Sequence, residues 1–140
     1  LGNSYLQLGE LETARKSIEK GLKIYQDIGI PDLLAHMTYG WLGIVHIDEG
    51  NLDAARSYIE KSLKVATDGG TRFWEAWWKI WLARTYNWSD VSESAQAEAN
   101  LLQAIDINNE FGTDGACAIA YSELGALYAD TGQAERALET

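Results

Sequence analysis

The sequence has little cysteine, little proline and no long apolar stretch, and each scarcity excludes a class of protein. Cys117 is the only cysteine among 140 residues, which excludes an internal disulfide and a cysteine-based zinc cage and favours a reducing, cytoplasmic setting. With a single proline, long helices are favoured, because proline inside a helix costs about 3 kcal/mol. Apolar stretches span only a few residues, whereas a membrane helix needs roughly 20, so no membrane association is expected.

Positive charge is scarce in the second part of the chain. Residues 87–140 contain Arg136 as their only lysine or arginine, against ten aspartates and glutamates. Nucleic acid binds through lysine and arginine contacts to phosphate, so it is not an expected partner. A basic protein partner would suit this surface, although solubility is the simpler explanation of the charge.

Motifs for catalysis, nucleotide binding and metal binding are also missing. The sequence has no phosphate loop of the G-x-x-x-x-G-K-[ST] type. His36 and His46 are ten residues apart, which is about 280 degrees around a helix, so they cannot share a face as zinc ligands at i and i+4 do. The acidic residues are spread singly, as on solvated helix faces. We therefore predict that this chain is not an enzyme and has no metal and no cofactor.

What the sequence does have is a repeat of about 41 residues. A leucine followed by a small residue recurs four times: Leu1-Gly2, Leu42-Gly43, Leu82-Ala83 and Leu124-Gly125. Three residues beyond each small one stand Tyr5, His46, Tyr86 and Tyr128. Two antiparallel helices can approach closely only where side chains are small, so the pattern predicts packed helix pairs.

A second series marks the other helix of each pair. It consists of Ala14, Ala55, Ala97 and Ala137. After the first three alanines come a large apolar residue four positions on (Ile18, Ile59, Leu101) and a small one three further (Gly21, Ser62, Ala104). One such pair cannot bury its faces alone, so stability requires stacked neighbours.

The two series together resemble the tetratricopeptide repeat, whose first helix carries Leu-Gly-x-x-Tyr and whose second carries alanine, a large apolar residue and a small residue. The resemblance implies an all-α fold, a right-handed superhelical array of antiparallel helix pairs. Armadillo and HEAT arrays also have repeats near this length. The Gly-x-x-Tyr-x-x-x-Gly run argues against them, because it occurs in three repeats, beginning at Gly2, Gly43 and Gly125, with His46 in place of tyrosine in one.

We predict one domain over residues 1–140, with its first and last repeats truncated. The repeats lie at about 1–30, 31–70, 71–112 and 113–140. Leu1 stands where an initiator methionine would be expected, so we expect a fragment of a longer protein. The expected helices are 1–8, 10–28, 31–49, 51–68, 72–88, 92–111, 115–131 and 133–140. Glycines at 29, 69, 70 and 112 are expected to end the second helices.

Five of the six tryptophans lie between residues 74 and 88, in one predicted helix. At 100 degrees per residue, Trp77, Trp81 and Trp88 share a face turned away from the partner helix. The resemblance implies that the first helices line a concave groove, which would direct this face toward a ligand. The predicted groove residues are Met37, Trp41, Ile44, Asp48, Trp77, Trp81, Arg84, Trp88, Ile119, Glu123 and Asp130.

A different register would make the tryptophans part of the core. Sliding the first helix of the third repeat by one residue would bury Trp74, Trp78 and Trp81. The charged residues Arg72, Glu75 and Lys79 would then lie outside. The sequence leaves both registers open, because a helix that is apolar on several sides is normally buried.

The favoured function is that of a protein-interaction or regulatory scaffold module within a larger cytoplasmic signalling protein. Long repeats with glycine-capped second helices resemble the C-terminal arrays of bacterial signalling ATPases, attached to transcription activators or nucleotide cyclases. The expected partner is a protein or peptide segment with apolar anchors and basic residues. The alternatives are self-association through the truncated ends and sensing of a small ligand through a tryptophan-rich pocket.

Overall fold

A computed structural model describes the backbone of residues 2–133 and the side chains of residues 9–31 and 35–133. Its helices are α1 (Gly2–Asp27), α2 (Asp32–Asp48), α3 (Leu52–Asp68), α4 (Arg72–Ala83), α5 (Val91–Phe111) and α6 (Asp114–Asp130). No strand occurs in this part of the chain, which confirms the prediction of an all-α fold. The predicted helix 133–140 lies almost entirely outside the described residues.

The second helices end at glycines, as the sequence predicts. α5 ends at Phe111, and Gly112 follows in the left-handed conformation with φ 64°. The Thr113 N–H then donates to the Asn108 carbonyl at 3.1 Å, which satisfies one of the carbonyls left unpaired at a helix end. A side chain at position 112 would be strained in this conformation, so the glycine is required by the backbone.

α1 differs from the prediction because it has no break at Gly9. The sequence predicts separate helices at 1–8 and 10–28, but α1 runs from Gly2 to Asp27. Gly50, the equivalent glycine of the next repeat, has φ 80° and ends α2, whereas Gly9 is not among the glycines with positive φ. A glycine permits a turn without requiring one, and the helix formers Glu10, Leu11 and Glu12 continue the helix.

The helices form two compact units, the first through Gly69 and the second from Gly70. The prediction of one domain over residues 1–140 stays a prediction. The right-handed superhelical arrangement of the repeats likewise stays a prediction.

In the first unit, α2 packs on both α1 and α3. Its contact with α3 is made where side chains are small or absent: a Cβ on Gly43 would lie 3.1 Å from the Ala55 carbonyl oxygen. The Ser62 hydroxyl, fully buried, donates to the backbone carbonyl of His36. On its other side α2 meets Leu22 of α1 in a buried cluster. These contacts confirm the predicted pairing of small residues between α2 and α3.

In the second unit, α5 packs on both α4 and α6, and α4 also contacts α6. The core is one cluster of buried residues from all three helices: Ala76, Ile80, Ala83, Ala97, Leu101, Ala104, Ile105, Ile107, Ala120, Leu124, Leu127 and Tyr128. The repeated alanine, Ala97, and its large apolar and small followers are each 0% exposed. The same repeat positions therefore make the core of this unit.

Candidate functional site

The predicted groove residues of the second unit lie on α4 and α6, except Arg84 and Trp88, which follow the end of α4, and none of them is fully buried. Trp77 and Trp81 are half-buried on α4, and Arg84, the residue after its last turn, is exposed. On α6, Ile119 is 44% exposed and Glu123 is half-buried. Asp130, the last residue of α6, is also exposed.

The register of α4 combines features of both sequence hypotheses. Leu82 and Ala83 are buried, as in the register that directs the tryptophans toward a groove, while Trp78 is 0% exposed, as in the register shifted by one residue. The shifted register also places Glu75 outside, but the Glu75 side chain is buried. Its burial is possible because Arg72 Nη1 donates to Glu75 Oε2 at 2.9 Å, and a buried carboxylate needs such a partner.

Trp77, Trp81, Arg84 and Glu123 form a continuous line of side chains, here called the tryptophan face. The rings of Trp77 and Trp81 meet edge to face with centroids 6.2 Å apart. Arg84 Cζ lies 5.0 Å from the Trp81 ring centroid, within the range of a cation–π interaction. Arg84 Nη2 then donates to Glu123 Oε1 at 2.7 Å. The line links the end of α4 to the middle of α6.

The Arg84–Glu123 ion pair changes the expected electrostatics of this surface. An acidic groove residue such as Glu123 would attract a basic partner, but its charge is already matched by Arg84. An ion pair with one exposed partner contributes only about 0 to 1 kcal/mol to stability, so its main effect is to hold the guanidinium over Trp81. Sequence inspection missed the pair because the two residues are 39 positions apart.

Trp77 has a polar atom that no described residue satisfies. Its indole Nε1 is buried and has no hydrogen-bond partner among the residues that the structure describes. A buried donor without an acceptor costs about 1 to 3 kcal/mol.

The rest of α4 has further charged contacts. Arg72 also reaches Glu110 of α5, at 3.4 Å, and the hydrogen bond from Arg72 to Glu75 raises the pKa of the guanidinium. Burial lowers the pKa of Lys79, and its Nζ donates to Gln103 Oε1 at 2.7 Å. These contacts hold α4 on α5.

Trp88 does not belong to the tryptophan face. The prediction that it shares a helical face with Trp77 and Trp81 is wrong, because α4 ends at Ala83 and not at residue 88. The chain turns there, with Thr85 buried and its hydroxyl donating to the Leu82 carbonyl. Trp88 then folds back: its Nε1 donates to the Ala83 carbonyl at 2.9 Å, and its ring packs against the core.

The groove residues predicted in the first unit all lie on α2. Met37 and Ile44 are half-buried, Trp41 is 43% exposed, and Asp48 is exposed. Trp41 lines a cleft of about 380 Å³ together with Ile18, Gly21, Ile24, Tyr25 and Thr38. Asp48 lines a second cleft, of about 540 Å³, with Glu10, Leu11 and Ala14. Both clefts are therefore bordered by α1 and α2.

Within residues 2–133, no helix has the length and apolar character that a bilayer crossing requires. The same part of the chain has no group of three or more histidine, cysteine, aspartate or glutamate side chains that could hold a metal ion.

Comparison with known families gives a match to the model of the tetratricopeptide repeat over residues 1–28 and 38–68. A comparison with curated proteins gives no match. The matched segments cover α1, most of α2 and all of α3. The predicted resemblance is thereby confirmed for the first unit, and the second unit continues the same sequence pattern.

Proposed function

Because residues 1–28 and 38–68 belong to the tetratricopeptide repeat family, whose repeats generally mediate protein–protein interaction, we propose that this chain binds a protein segment through its first helices. In the second unit the binding surface is the tryptophan face with Ile119 beside it. In the first unit it is the α2 surface with Met37, Trp41, Ile44 and Asp48. The family is typically a non-catalytic interaction module, and we propose no reaction for this chain.

The tryptophan face carries the proposal. It presents two aromatic rings and an arginine, and tryptophan and arginine are among the residues that contribute most to binding at protein interfaces. Trp78, by contrast, is 0% exposed and is a core residue of α4. The division between one core tryptophan and two half-buried ones is what a docking surface on a stable helix requires.

We further propose that the partner has apolar anchors and basic residues. From Gly70 to Gln133 the chain has nine aspartates and glutamates against Arg72, Lys79 and Arg84, so the surrounding potential is negative and favours a cationic segment. Glu123 has a different role in this scheme. Paired with Arg84, it positions the guanidinium and does not itself contact the partner's cations.

The setting we propose is a larger cytoplasmic signalling protein, in which this chain serves as a regulatory scaffold. The resemblance to the C-terminal arrays of bacterial signalling ATPases supports that setting. It does not specify which domain is attached, because the function of an attached domain is not encoded in the repeat fold.

The test compares Trp81→Ala and Trp77→Ala with Phe73→Ala, a matched control. Phe73 is an exposed aromatic residue on the same helix and lies outside the tryptophan face. The probe is an array of 15-residue peptides with leucine or phenylalanine anchors, made once with lysine and arginine and once with aspartate and glutamate at the same positions. We expect the basic set to bind, and each face variant to lose about 30-fold in affinity, as for a hot spot of about 2 kcal/mol.

Three results would contradict the proposal. Loss of thermal stability with unchanged peptide affinity would show that the rings are core residues. Equal binding of the acidic and basic peptides would remove the preference for basic partners. Indole fluorescence that responds to small apolar metabolites, and not to any peptide, would favour the alternative of a small-ligand sensor.

A further inference from the structure

The chain contains two Asp–Gly bonds, Asp68–Gly69 and Asp114–Gly115. An aspartate before a glycine can rearrange spontaneously, because glycine has no side chain to hinder the attack of its own nitrogen on the preceding carboxyl group. All four residues are exposed, so water reaches both bonds. The contacts of the reacting atoms therefore decide which bond rearranges in the folded chain.

Both reacting groups of the Asp68–Gly69 bond are held at the end of α3. The attacking atom would be the Gly69 nitrogen, but its N–H donates to the Val65 carbonyl at 3.0 Å. The Asp68 carboxylate is also engaged, because Lys64 Nζ donates to Asp68 Oδ2 at 2.6 Å. The hydrogen bond and the ion pair must both open before the nitrogen can attack the carboxyl group.

The Asp114–Gly115 bond lacks both restraints. Asp114 and Gly115 are the first two residues of α6, where backbone N–H groups have no carbonyl of the same helix to bond. Thr113, which precedes them, makes no side-chain cap hydrogen bond. Among the described residues the Asp114 carboxylate has no hydrogen bond and no ion pair. A Cβ on Gly115 would meet no atom within 4 Å, so the space around the bond is open.

We propose that Asp114–Gly115 is a site of spontaneous isomerisation to isoaspartate, and that the fold protects Asp68–Gly69 from the same reaction. The Gly115 nitrogen attacks Cγ of the protonated Asp114 carboxyl group, and the hydroxyl leaves with the amide proton as water. The cyclic succinimide then takes up one water. When that water attacks the main-chain carbonyl carbon of Asp114, the bond from this carbon to nitrogen breaks, and Gly115 remains linked through Cγ.

The rearranged link changes the start of α6. Isoaspartate adds one carbon to the backbone between Thr113 and Gly115. The Cys117 N–H donates to the Thr113 carbonyl at 3.1 Å, and this hydrogen bond spans the lengthened link. The Cys117 side chain is buried, with Sγ 3.3 Å from Asn109 Oδ1. We therefore expect isomerisation to open the first turn of α6 and to expose the thiol, whether or not the proposed binding surface is used.

The experiment incubates the native chain at neutral pH and measures isoaspartate at each bond by peptide mapping, with electron-transfer fragmentation to distinguish the isomers. We expect Asp114 to convert roughly tenfold faster than Asp68, since at Asp68 a hydrogen bond and an ion pair must open first. The same chain in guanidinium chloride is the matched control, because unfolding removes both contacts and should make the rates similar. The reaction of Cys117 with an aromatic disulfide should accelerate as isoaspartate accumulates in the native chain.

Two variants identify the cause. Gly115→Ala should slow conversion at Asp114 several-fold, because the methyl group hinders the attack, and its Cβ meets no atom within 4 Å, so the fold is undisturbed. Asp114→Glu keeps the negative charge in the first turn but would have to close a larger ring, so it should form no isomer and keep Cys117 protected. Three results would overturn the proposal: equal rates at the two bonds in the native chain, faster conversion at Asp68, or isoaspartate at residue 114 without a change in Cys117 reactivity.

Discussion

Gly43 and Ile59 touch at the crossing of α2 and α3, where a Cβ on Gly43 would lie only 2.5 Å from Ile59 Cγ1. The second nearest atom, the Ala55 carbonyl oxygen, belongs to the α3 backbone and lies at 3.1 Å. Neither neighbour is the mobile end of a flexible side chain, and Ile59 is 0% exposed. The distance between the two helices therefore depends on the missing side chain at position 43.

Gly43→Ala is expected to destabilise the protein by about 1 to 3 kcal/mol, the usual cost of overpacking a well-packed core. The loss should exceed the gain in helix propensity, which is about 0.5 to 1 kcal/mol for this change. Urea unfolding followed by circular dichroism measures the difference. Gly115→Ala is the control, because its Cβ would meet no atom within 4 Å. Equal stability of the two variants would mean that α2 and α3 are not packed this closely.

Trp88→Ala should cost more stability than Trp81→Ala. Trp88 packs on the core cluster and its indole N–H bonds the Ala83 carbonyl, so we expect a loss of about 2 to 3 kcal/mol. Trp88→Phe keeps the aromatic packing and removes the hydrogen bond, for a loss of about 1 kcal/mol. Chemical denaturation of the three variants tests the order. Had α4 continued to residue 88, Trp81 and Trp88 would lie on one face and would behave alike.

Lys79 gives the stability a dependence on alkaline pH. Burial lowers its pKa, so between the folded pKa and the ordinary value near 10.5 the unfolded chain binds more protons than the native one. Stability from this group therefore rises with pH across that interval. The penalty for burying the charge is fully present below the folded pKa and is relieved above it.

Lys79→Met removes this titration, so the stability of the wild type relative to the variant should increase as pH rises from neutral toward 10.5. Urea unfolding at a series of pH values measures the difference. Lys64→Met, at an exposed lysine of α3, controls for the removal of one positive charge. A constant difference between wild type and Lys79→Met would show that the ammonium group is not desolvated.

Much of the fold follows from local sequence features. Gly112 ends α5 because its left-handed conformation is strained for other residues. Asp90 begins the same helix by accepting a hydrogen bond from the Glu93 N–H, a capping interaction that needs only neighbouring residues. The spacing of Ala97, Leu101 and Ala104 predicts the buried side of α5, since helical geometry places such residues on one face.

Gly9 and Gly50 show where local information is insufficient. Both occupy the same position in the repeat, yet α1 passes through Gly9 while α2 ends at Gly50 with φ 80°. Glycine is compatible with either conformation. At Gly50 the turn allows Gly43 to pack on Ile59, and that tertiary contact offsets the entropy of folding the chain back.

The sequence by itself determined the all-α class, the repeat, the helix-ending glycines and the small residues at helix contacts, because these depend on backbone preferences and periodicity within a few turns. Only the tertiary structure decided that Trp88 folds onto the core, that Glu75 is buried beside Arg72, and that Arg84 pairs with Glu123. Those outcomes depend on where the chain turns after α4 and on how α4 meets α6. Such distances between separate elements are set by packing, and no spacing within one helix encodes them.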